Sequence, residues 1–133
     1  MSQCPACNKP LIVYELRSVE IDRCLECRGT WLDAGEMALL LEVSGQSTER
    51  FTDAMARATQ AGRSQRRCPL CSGRLRRLII SPDDLSKVEV DRCPKGHGIW
   101  LDHGEMESLL QRFSNEPAAE FLAELLRSTR AGS

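Results

Sequence analysis

The residues in this chain best suited to chemistry are cysteines, and most of them occur in pairs. Cys4 and Cys7 form one pair, and sixteen residues later Cys24 and Cys27 form another. A Cys-x2-Cys turn lets two thiolates approach one ion, and two such pairs at this separation are typical of a zinc site. A redox dithiol would use one such pair in an α/β context. We therefore predict one zinc ion held by these four cysteines.

A second group of cysteines repeats this pattern but is one thiolate short. Its cysteines are Cys68, Cys71 and Cys93. Gly96 stands where the first group has Cys27, and His97 follows it. Because zinc takes a fourth ligand and an imidazole reaches further than a thiol, we predict that His97 completes a second zinc site. His103, in the next predicted helix start, and a water molecule are the alternatives for this position.

The two groups lie in two copies of one sequence. DRCLECRGTWLDAGEM, residues 22–37, and DRCPKGHGIWLDHGEM, residues 91–106, are identical at ten of sixteen positions. Such a repeat predicts two units of one structure. Between its cysteine pairs each copy has a β-rich stretch with a central break, near Arg17 in the first and at 81–84 in the second. Each stretch is predicted to form a β-hairpin, and the second is five residues longer.

A helix is predicted after each hairpin. Asp33 and Glu36, like Asp102 and Glu105, have the spacing of a capping box. In that motif the aspartate accepts from the first free backbone amides and the glutamate reaches back. The same carboxylates could instead form an acid/base couple. Capping is favoured because it accounts for both residues of each pair.

Two further helices complete the predicted organisation. Residues 47–62 place Phe51, Ala54, Met55 and Ala58 on one helical face, and a C-terminal helix begins at Pro117. The predicted fold class is small, zinc-stabilised α+β: two tandem zinc β-ribbons, each a hairpin followed by a capped helix, plus a middle and a C-terminal helix. The predicted boundaries are 1–45 for the first ribbon, 46–65 for a helical basic linker, 66–115 for the second ribbon and 116–133 for the C-terminal helix. Units this small need a staple such as zinc.

The two copies resemble a known family. CPAC followed by EIDRCLECRGTWLDAGEM, and CPLC followed by EVDRCPKGHGIWLDHGEM, are similar to the bacterial zinc-finger family described as transcription-factor-IIB-type zinc ribbons. The similarity covers residues 4–41 and 68–110. It implies zinc ligands at all seven cysteines. Gly96 departs from the family pattern, so the prediction of His97 as a ligand rests on its spacing from Cys93 and not on the resemblance. It implies a zinc ribbon and not transcription initiation, because the family name rests on fold likeness.

The charge distribution bears on partners. Residues 50–80 contain eight arginines and one aspartate, whereas the segments on either side are acidic. Arginine suits phosphate geometry, so this stretch is a candidate nucleic-acid or partner contact. Its candidate residues are Arg63, Arg66, Arg67, Arg74, Arg76 and Arg77. The slightly acidic chain and the scarcity of aromatics in the stretch favour a protein partner over nucleic acid.

Several further expectations concern the class of protein. Both predicted zinc sites are coordinatively closed, which suits a non-catalytic adaptor with two structural zinc ions and not an enzyme. No stretch reaches the length of a membrane span, and the first cysteine follows the initial Met-Ser-Gln too closely for a signal peptide. We expect a cytoplasmic protein that makes no membrane contact. The leucine stripe of the C-terminal helix is predicted to pack internally or to support an oligomer.

Overall fold

A computed structural model describes residues 3–43, 48–83 and 86–113 of the chain. Within these ranges the fold is α+β, with antiparallel strand pairs and three helices. The elements are β1 (Ile12–Leu16), β2 (Val19–Arg23), β3 (Thr30–Asp33), α1 (Glu36–Val43), α2 (Glu49–Ala56), β4 (Thr59–Arg67), β5 (Arg74–Asp83), β6 (Ser86–Arg92), β7 (Gly98–Leu101) and α3 (Glu105–Phe113).

All seven described strands belong to one sheet, in the order β1-β2-β3-β7-β6-β5-β4. The first repeat contributes β1, β2 and β3, and the second contributes β5, β6 and β7. The two repeats meet at β3 and β7, whose antiparallel pairing is symmetric about Trp31 and Trp100. The repeats are therefore not separate units on a linker, since their ribbons form one continuous sheet.

The two faces of the sheet carry different clusters. Alternate strand residues such as Leu32, Leu78 and Val90 pack against the buried sides of the helices to form the main core. The residues between them on β3 and β7, Trp31 and Trp100, point to the other face. There they form a second buried cluster with cysteines from both repeats. The metal-ligand candidates therefore lie on the face opposite the main core.

The middle of the chain differs from the prediction. The predicted helix over 47–62 is shorter in the structure, because α2 ends at Ala56 and strand β4 begins at Thr59. Phe51 and Ala54 do bury the predicted face of this helix. The sequence TQAGRSQRR of β4 has one apolar residue and no hydrophobic alternation, so the strand is specified by its pairing with β5 and not by its own pattern.

Each repeat also contains a third strand that the sequence did not predict. The short strands β3 and β7 lie between the hairpin and the following helix, where the sequence predicted no strand. They exist because each pairs both with its own hairpin and with the other repeat. The predicted C-terminal helix, 116–133, lies outside the described residues. None of the helices in the described ranges has the length and apolar character needed to cross a bilayer.

Candidate metal centres

Three of the four ligand-bearing turns have the same backbone conformation. In each, the residue four positions after the first cysteine has a positive φ: 64° at Asn8, 63° at Arg28 and 62° at Ser72. Its N–H donates to the carbonyl of that first cysteine at 2.8–2.9 Å. The N–H of the first cysteine in turn donates to the residue beyond, as from Cys24 to Gly29 at 3.0 Å. These turns hold the two thiols of each pair on one side.

The first donor group is complete. Cys4 Sγ lies 3.5 Å from Cys27 Sγ, and Cys7 Sγ lies 3.3 Å from Cys24 Sγ. The four sulfur atoms all lie within 4.8 Å of one another. A tetrahedral zinc ion with Zn–S bonds of about 2.3 Å requires sulfur separations of about 3.8 Å. The group is therefore compact enough to hold one zinc ion with small adjustments.

The second group is built on a tighter fourth turn. Gly96 N–H donates to the Cys93 carbonyl at 2.9 Å, so this turn closes one residue earlier than the other three. The positive φ accordingly falls on residue 96, at 82°, a conformation that glycine adopts without steric cost. A cysteine at 96, as the repeat pattern would place it, would be strained in this turn. The ligand position passes to the next residue, His97.

His97 completes a group of four donors. Its Nδ1 lies 3.7 Å from Cys68 Sγ and 3.5 Å from Cys93 Sγ, and Cys71 Sγ lies 3.8 Å from Cys93 Sγ. All four donor atoms lie within 4.8 Å of one another. His103 is exposed and lies outside this group. The structure thus brings together all eight predicted ligand residues, in two groups of four.

Within each donor group, the pKa of one thiol is raised and that of another is lowered. Burial raises the pKa of Cys4, and raises that of Cys68 to about 11. Burial also acts to raise the pKa of Cys24 and Cys93, but backbone N–H groups and neighbouring thiols outweigh it and lower both to about 7. One equivalent thiol in each group therefore ionises near neutral pH. Because zinc binds the thiolate form of cysteine, zinc binding displaces the protons of the thiols whose pKa is raised.

A tryptophan from each repeat closes the space between the groups. Trp31 and Trp100 are 0% and 1% exposed, so they pack beside the metal groups and offer no stacking platform at the surface. Each indole N–H donates at 2.8 Å to the aspartate two residues on, Asp33 or Asp102. Both groups share one apolar cluster through these two rings.

The predicted capping boxes form only in part. Glu36 Oε1 accepts from the Asp33 backbone N–H at 2.7 Å, and Glu105 accepts from Asp102 at the same distance. The aspartate carboxylates were predicted to accept from backbone amides of the helix. Instead their Oδ1 atoms accept from the tryptophan indoles, because the side chains turn toward the buried ring. Each aspartate therefore links the helix start to the cluster between the metal groups.

Strand β4 supplies donors to two carboxylates of the second repeat. Ser64 Oγ, which is buried, donates to Asp91 Oδ2 at 2.7 Å, and Arg66 donates to Asp102 Oδ1 at 3.0 Å. Arg77 on β5 donates to Asp91 Oδ1 at 3.2 Å, and this contact raises the arginine pKa. In the sequence, these ion pairs are indicated only by the many arginines beside an acidic repeat. Which arginine pairs with which carboxylate depends on the β4–β5 strand pairing.

The six candidate contact arginines fall into two sets. Arg66 and Arg77 are paired with carboxylates of the second repeat. The other four are exposed and line one open cleft beside Pro94, at the fourth ligand-bearing turn. These four are Arg63, Arg67, Arg74 and Arg76.

Comparison with known proteins agrees with this geometry. The family described as transcription factor zinc-finger, a zinc ribbon of the transcription-factor-IIB type, matches residues 3–43 and 67–112, more than half of the chain. No curated protein and no solved structure matches the chain significantly. The two donor groups and the two family matches together show that the protein binds two zinc ions. The chain therefore belongs to the transcription factor zinc-finger family and contains two of its zinc ribbons.

Proposed function

We propose that this chain is a non-catalytic protein whose two zinc ions are structural and whose role is to bind another protein. The proposed ligands are Cys4, Cys7, Cys24 and Cys27 for one ion and Cys68, Cys71, Cys93 and His97 for the other. The observation that carries this proposal is that each group offers four protein donors to one tetrahedral ion. A zinc ion so bound keeps no open position for water or substrate, which a catalytic zinc needs.

The surface of the first repeat supports the protein-binding role. Ile12 and Val13 are 44% and 61% exposed, and both lie on β1, at one end of the described sheet. Single exposed apolar residues are ordinary on a protein surface. Here, however, they lie on an edge strand, where unpaired backbone groups provide a template for another chain. We place this role in the cytoplasm, whose reducing conditions keep cysteines available to zinc.

Affinity capture from the host tests the proposal. The zinc-loaded protein should retain a protein partner that survives nuclease treatment, and the protein stripped of zinc by a chelator should lose it. The same capture with a non-binding carrier protein is the control. If all captured partners disappear on nuclease treatment, the protein-binding role is contradicted and nucleic acid becomes the proposed partner.

Nucleic-acid binding is the second candidate, and one observation favours it. Arg63 lies directly opposite Arg76 in the β4–β5 ladder, and Arg67 lies opposite Arg74. Like charges in directly opposed positions destabilise a sheet. A bound anion would offset the repulsion among these four exposed arginines. Guanidinium groups bind phosphate in a bidentate manner. The cleft that these arginines line could thus bind a phosphate backbone.

A matched pair of charge variants tests this candidate. R63A/R76A removes one opposed pair from the cleft, and R57A/K87A removes two exposed positive charges elsewhere. If the cleft binds nucleic acid, the first variant should lower the salt dependence of binding, by about one unit of slope for each phosphate that the cleft no longer neutralises. The second variant should leave it close to that of the unmodified protein. Absence of salt-dependent binding to DNA or RNA at low ionic strength would eliminate this candidate.

A further inference from the structure

Two opposed pairs of arginines line one cleft of the second repeat. This arginine cleft lies beside Pro94 and is formed by the exposed side chains of Arg63, Arg67, Arg74 and Arg76. Arg63 lies opposite Arg76 in the β4–β5 ladder, and Arg67 lies opposite Arg74. Directly opposed residues share a face of a sheet, as do residues two apart along a strand. The four guanidinium groups therefore belong to one face of the sheet.

An irregularity in β4 decides which of its side chains enter this cleft. Arg63 and Arg67 are four residues apart, whereas the residues opposite them are two apart on β5, so β4 is bulged between them. A bulge redirects side chains. Ser64 and Arg66, within the bulged segment, donate to two carboxylates of the second repeat. The strand thus directs one hydroxyl and one guanidinium to internal acids and keeps Arg63 and Arg67 in the cleft.

The charges in the cleft lack an internal counterion. Among the residues that the structure describes, no carboxylate lies within ion-pair distance of the four arginines. Arg67 Nη1 donates at 3.1 Å to the Ser72 carbonyl oxygen, which is an uncharged acceptor. Arg92 on β6 lies opposite Arg76 on its other side and adds a further like charge to the same face. The repulsion within the cleft is therefore relieved only when an anion binds.

The zinc-ribbon fold does not require arginine at these positions. Residues 10–12 of the first repeat correspond to 74–76 of the second, so that Pro10 and Ile12 stand in the places of Arg74 and Arg76. The first repeat brings its four thiols together without a cation at either place. The cleft arginines are also exposed, so packing does not account for them. They are therefore available for a ligand.

The surroundings of the cleft favour a short anionic ligand over a long one. The cleft has a volume of about 490 Å³. The whole chain has a net charge of -1 with these arginines included, so the remainder of the protein is negative and would repel a long polyanion. Single-stranded nucleic acid also stacks on exposed aromatic rings, whereas Trp31 and Trp100 are buried. A short segment of a protein avoids both difficulties.

Phosphate fits an opposed pair of arginines better than a carboxylate does. A phosphorylated serine carries about −1.5 to −2 charges at neutral pH and has three acceptor oxygens, so it can bind two guanidinium groups at once. The two pairs are two residues apart on β5, which corresponds to about 7 Å along a strand. Alternate side chains of an extended peptide have the same separation. Clusters of arginine are a recurring means of recognising phosphorylated motifs.

We propose that the arginine cleft is a docking site for an extended segment of a partner protein that carries two phosphorylated side chains with one residue between them. One phosphate binds between Arg63 and Arg76, and the other binds between Arg67 and Arg74. This inference rests on the proposed protein-binding function and specifies the chemical character of the partner.

A set of synthetic peptides tests the number and spacing of the phosphates. The peptides are rich in glycine and alanine and carry two phosphoserines with one residue between them, two adjacent phosphoserines, one phosphoserine, or two unmodified serines. In a calorimetric titration of the zinc-loaded full-length protein, the first peptide should bind at least about tenfold more tightly than the second or third, because only it places a phosphate at each pair. The unmodified peptide should not bind. Equal affinity of the alternate and adjacent arrangements would overturn the proposal, as would failure of the first peptide to bind at millimolar concentration.

A matched pair of charge variants tests where the peptide binds. R63A/R76A removes one opposed pair and relieves its repulsion, so the variant should hold two zinc ions and unfold at no lower temperature than the unmodified protein. It should bind the first peptide no more tightly than the unmodified protein binds the singly phosphorylated one. R57A/K87A, outside the cleft, should bind the first peptide with unchanged affinity. An R63A/R76A variant that retains full affinity would show that the peptide binds elsewhere and would overturn the proposal.

Other occupants of the cleft give different results. An oligonucleotide that binds more tightly than the first peptide, and that R63A/R76A no longer binds, would make nucleic acid the occupant. Inorganic pyrophosphate that binds more tightly than the peptide would make a free oligophosphate the ligand. Either result would overturn the assignment to a partner protein.

Phosphatase treatment before affinity capture separates this inference from the proposed function. If the cleft recognises phosphorylated side chains, a partner that the unmodified protein retains should be lost after phosphatase treatment and should not be retained by R63A/R76A. If the partner is retained in both cases, the protein-binding function stands and the assignment of the cleft is overturned.

Discussion

Trp31 and Trp100 lie directly opposite each other across the β3–β7 strand pair that joins the two zinc ribbons. Each ring occupies space over the other repeat. A side chain added at Gly29 would overlap the six-membered ring of Trp100, and one added at Gly98 would overlap the Leu32 carbonyl oxygen and come within 2.8 Å of Trp31. The two glycines thus leave room for the two indoles. This reciprocal arrangement fixes the orientation of the ribbons relative to each other.

Gly29→Ala should therefore destabilise the protein by about 1–3 kcal/mol or more, as overpacking does in other cores. The atoms in the way belong to the outer ring of Trp100, which phenylalanine lacks. The double variant G29A/W100F should accordingly be less destabilised than the sum of its two single variants. Thermal or denaturant unfolding of all four proteins measures this coupling. Strict additivity would mean that the ring does not occupy this space.

His97→Ala should release one of the two zinc ions, because it removes a donor that lies near Cys68 and Cys93. His103→Ala should release none, since His103 is exposed and outside the donor group. Elemental analysis of the purified variants measures the zinc content directly. Loss of zinc from the His103 variant alone would mean that the helix start supplies the ligand.

Cys24→Ser should unfold the first ribbon more severely than Trp31→Phe. Loss of a structural zinc removes on the order of 10 kcal/mol in small zinc peptides. Complete truncation of a buried tryptophan to alanine costs about 3–5 kcal/mol, and the change to phenylalanine is smaller. Because one cluster contacts both metal groups, we also expect the cysteine variant to lower the zinc affinity of the second group. Equal thermal shifts for the two variants would contradict zinc as the main stabilising element.

The pH dependence of stability should reflect Glu36 and Glu105. Burial raises the pKa of both carboxyls to about 7, with nearby Asp33 or Asp102 acting in the same direction and the backbone hydrogen bond opposing it. Since these folded pKa values exceed those of the unfolded chain, the stabilisation from binding the proton is present at low pH. It is lost as the pH rises through about 7.

Glutamine at both positions keeps the oxygen that accepts from the backbone but does not ionise. The unfolding temperature of E36Q/E105Q relative to the unmodified protein should therefore increase as the pH rises from about 4.5 to about 7 and then level off. Both proteins must be zinc-loaded, so that ligand protonation affects them alike. A difference that does not change with pH would show that the two carboxyls titrate at ordinary values.

Much of the donor set follows from the sequence because its signals are local. The spacing of Cys4 from Cys7, or of Cys68 from Cys71, is a property of one turn. The hairpins between the pairs are short-range structures too. Even the exchange of cysteine for glycine at position 96 has a local cause, since the fourth turn closes one residue early and needs a positive φ there.

The tertiary structure decided how the two ribbons combine. Strands β3 and β7 are four residues long and separated by more than sixty residues of chain, so neither specifies the other through a local pattern. Strand β4 has no hydrophobic alternation, and its strand conformation depends on β5. The division of the arginines into those that pair with carboxylates and those that line the cleft depends on the same pairing. Sequence by itself determined the two zinc ribbons, because their turns are local, whereas the continuous sheet and the neighbouring tryptophans arise from contacts between distant segments.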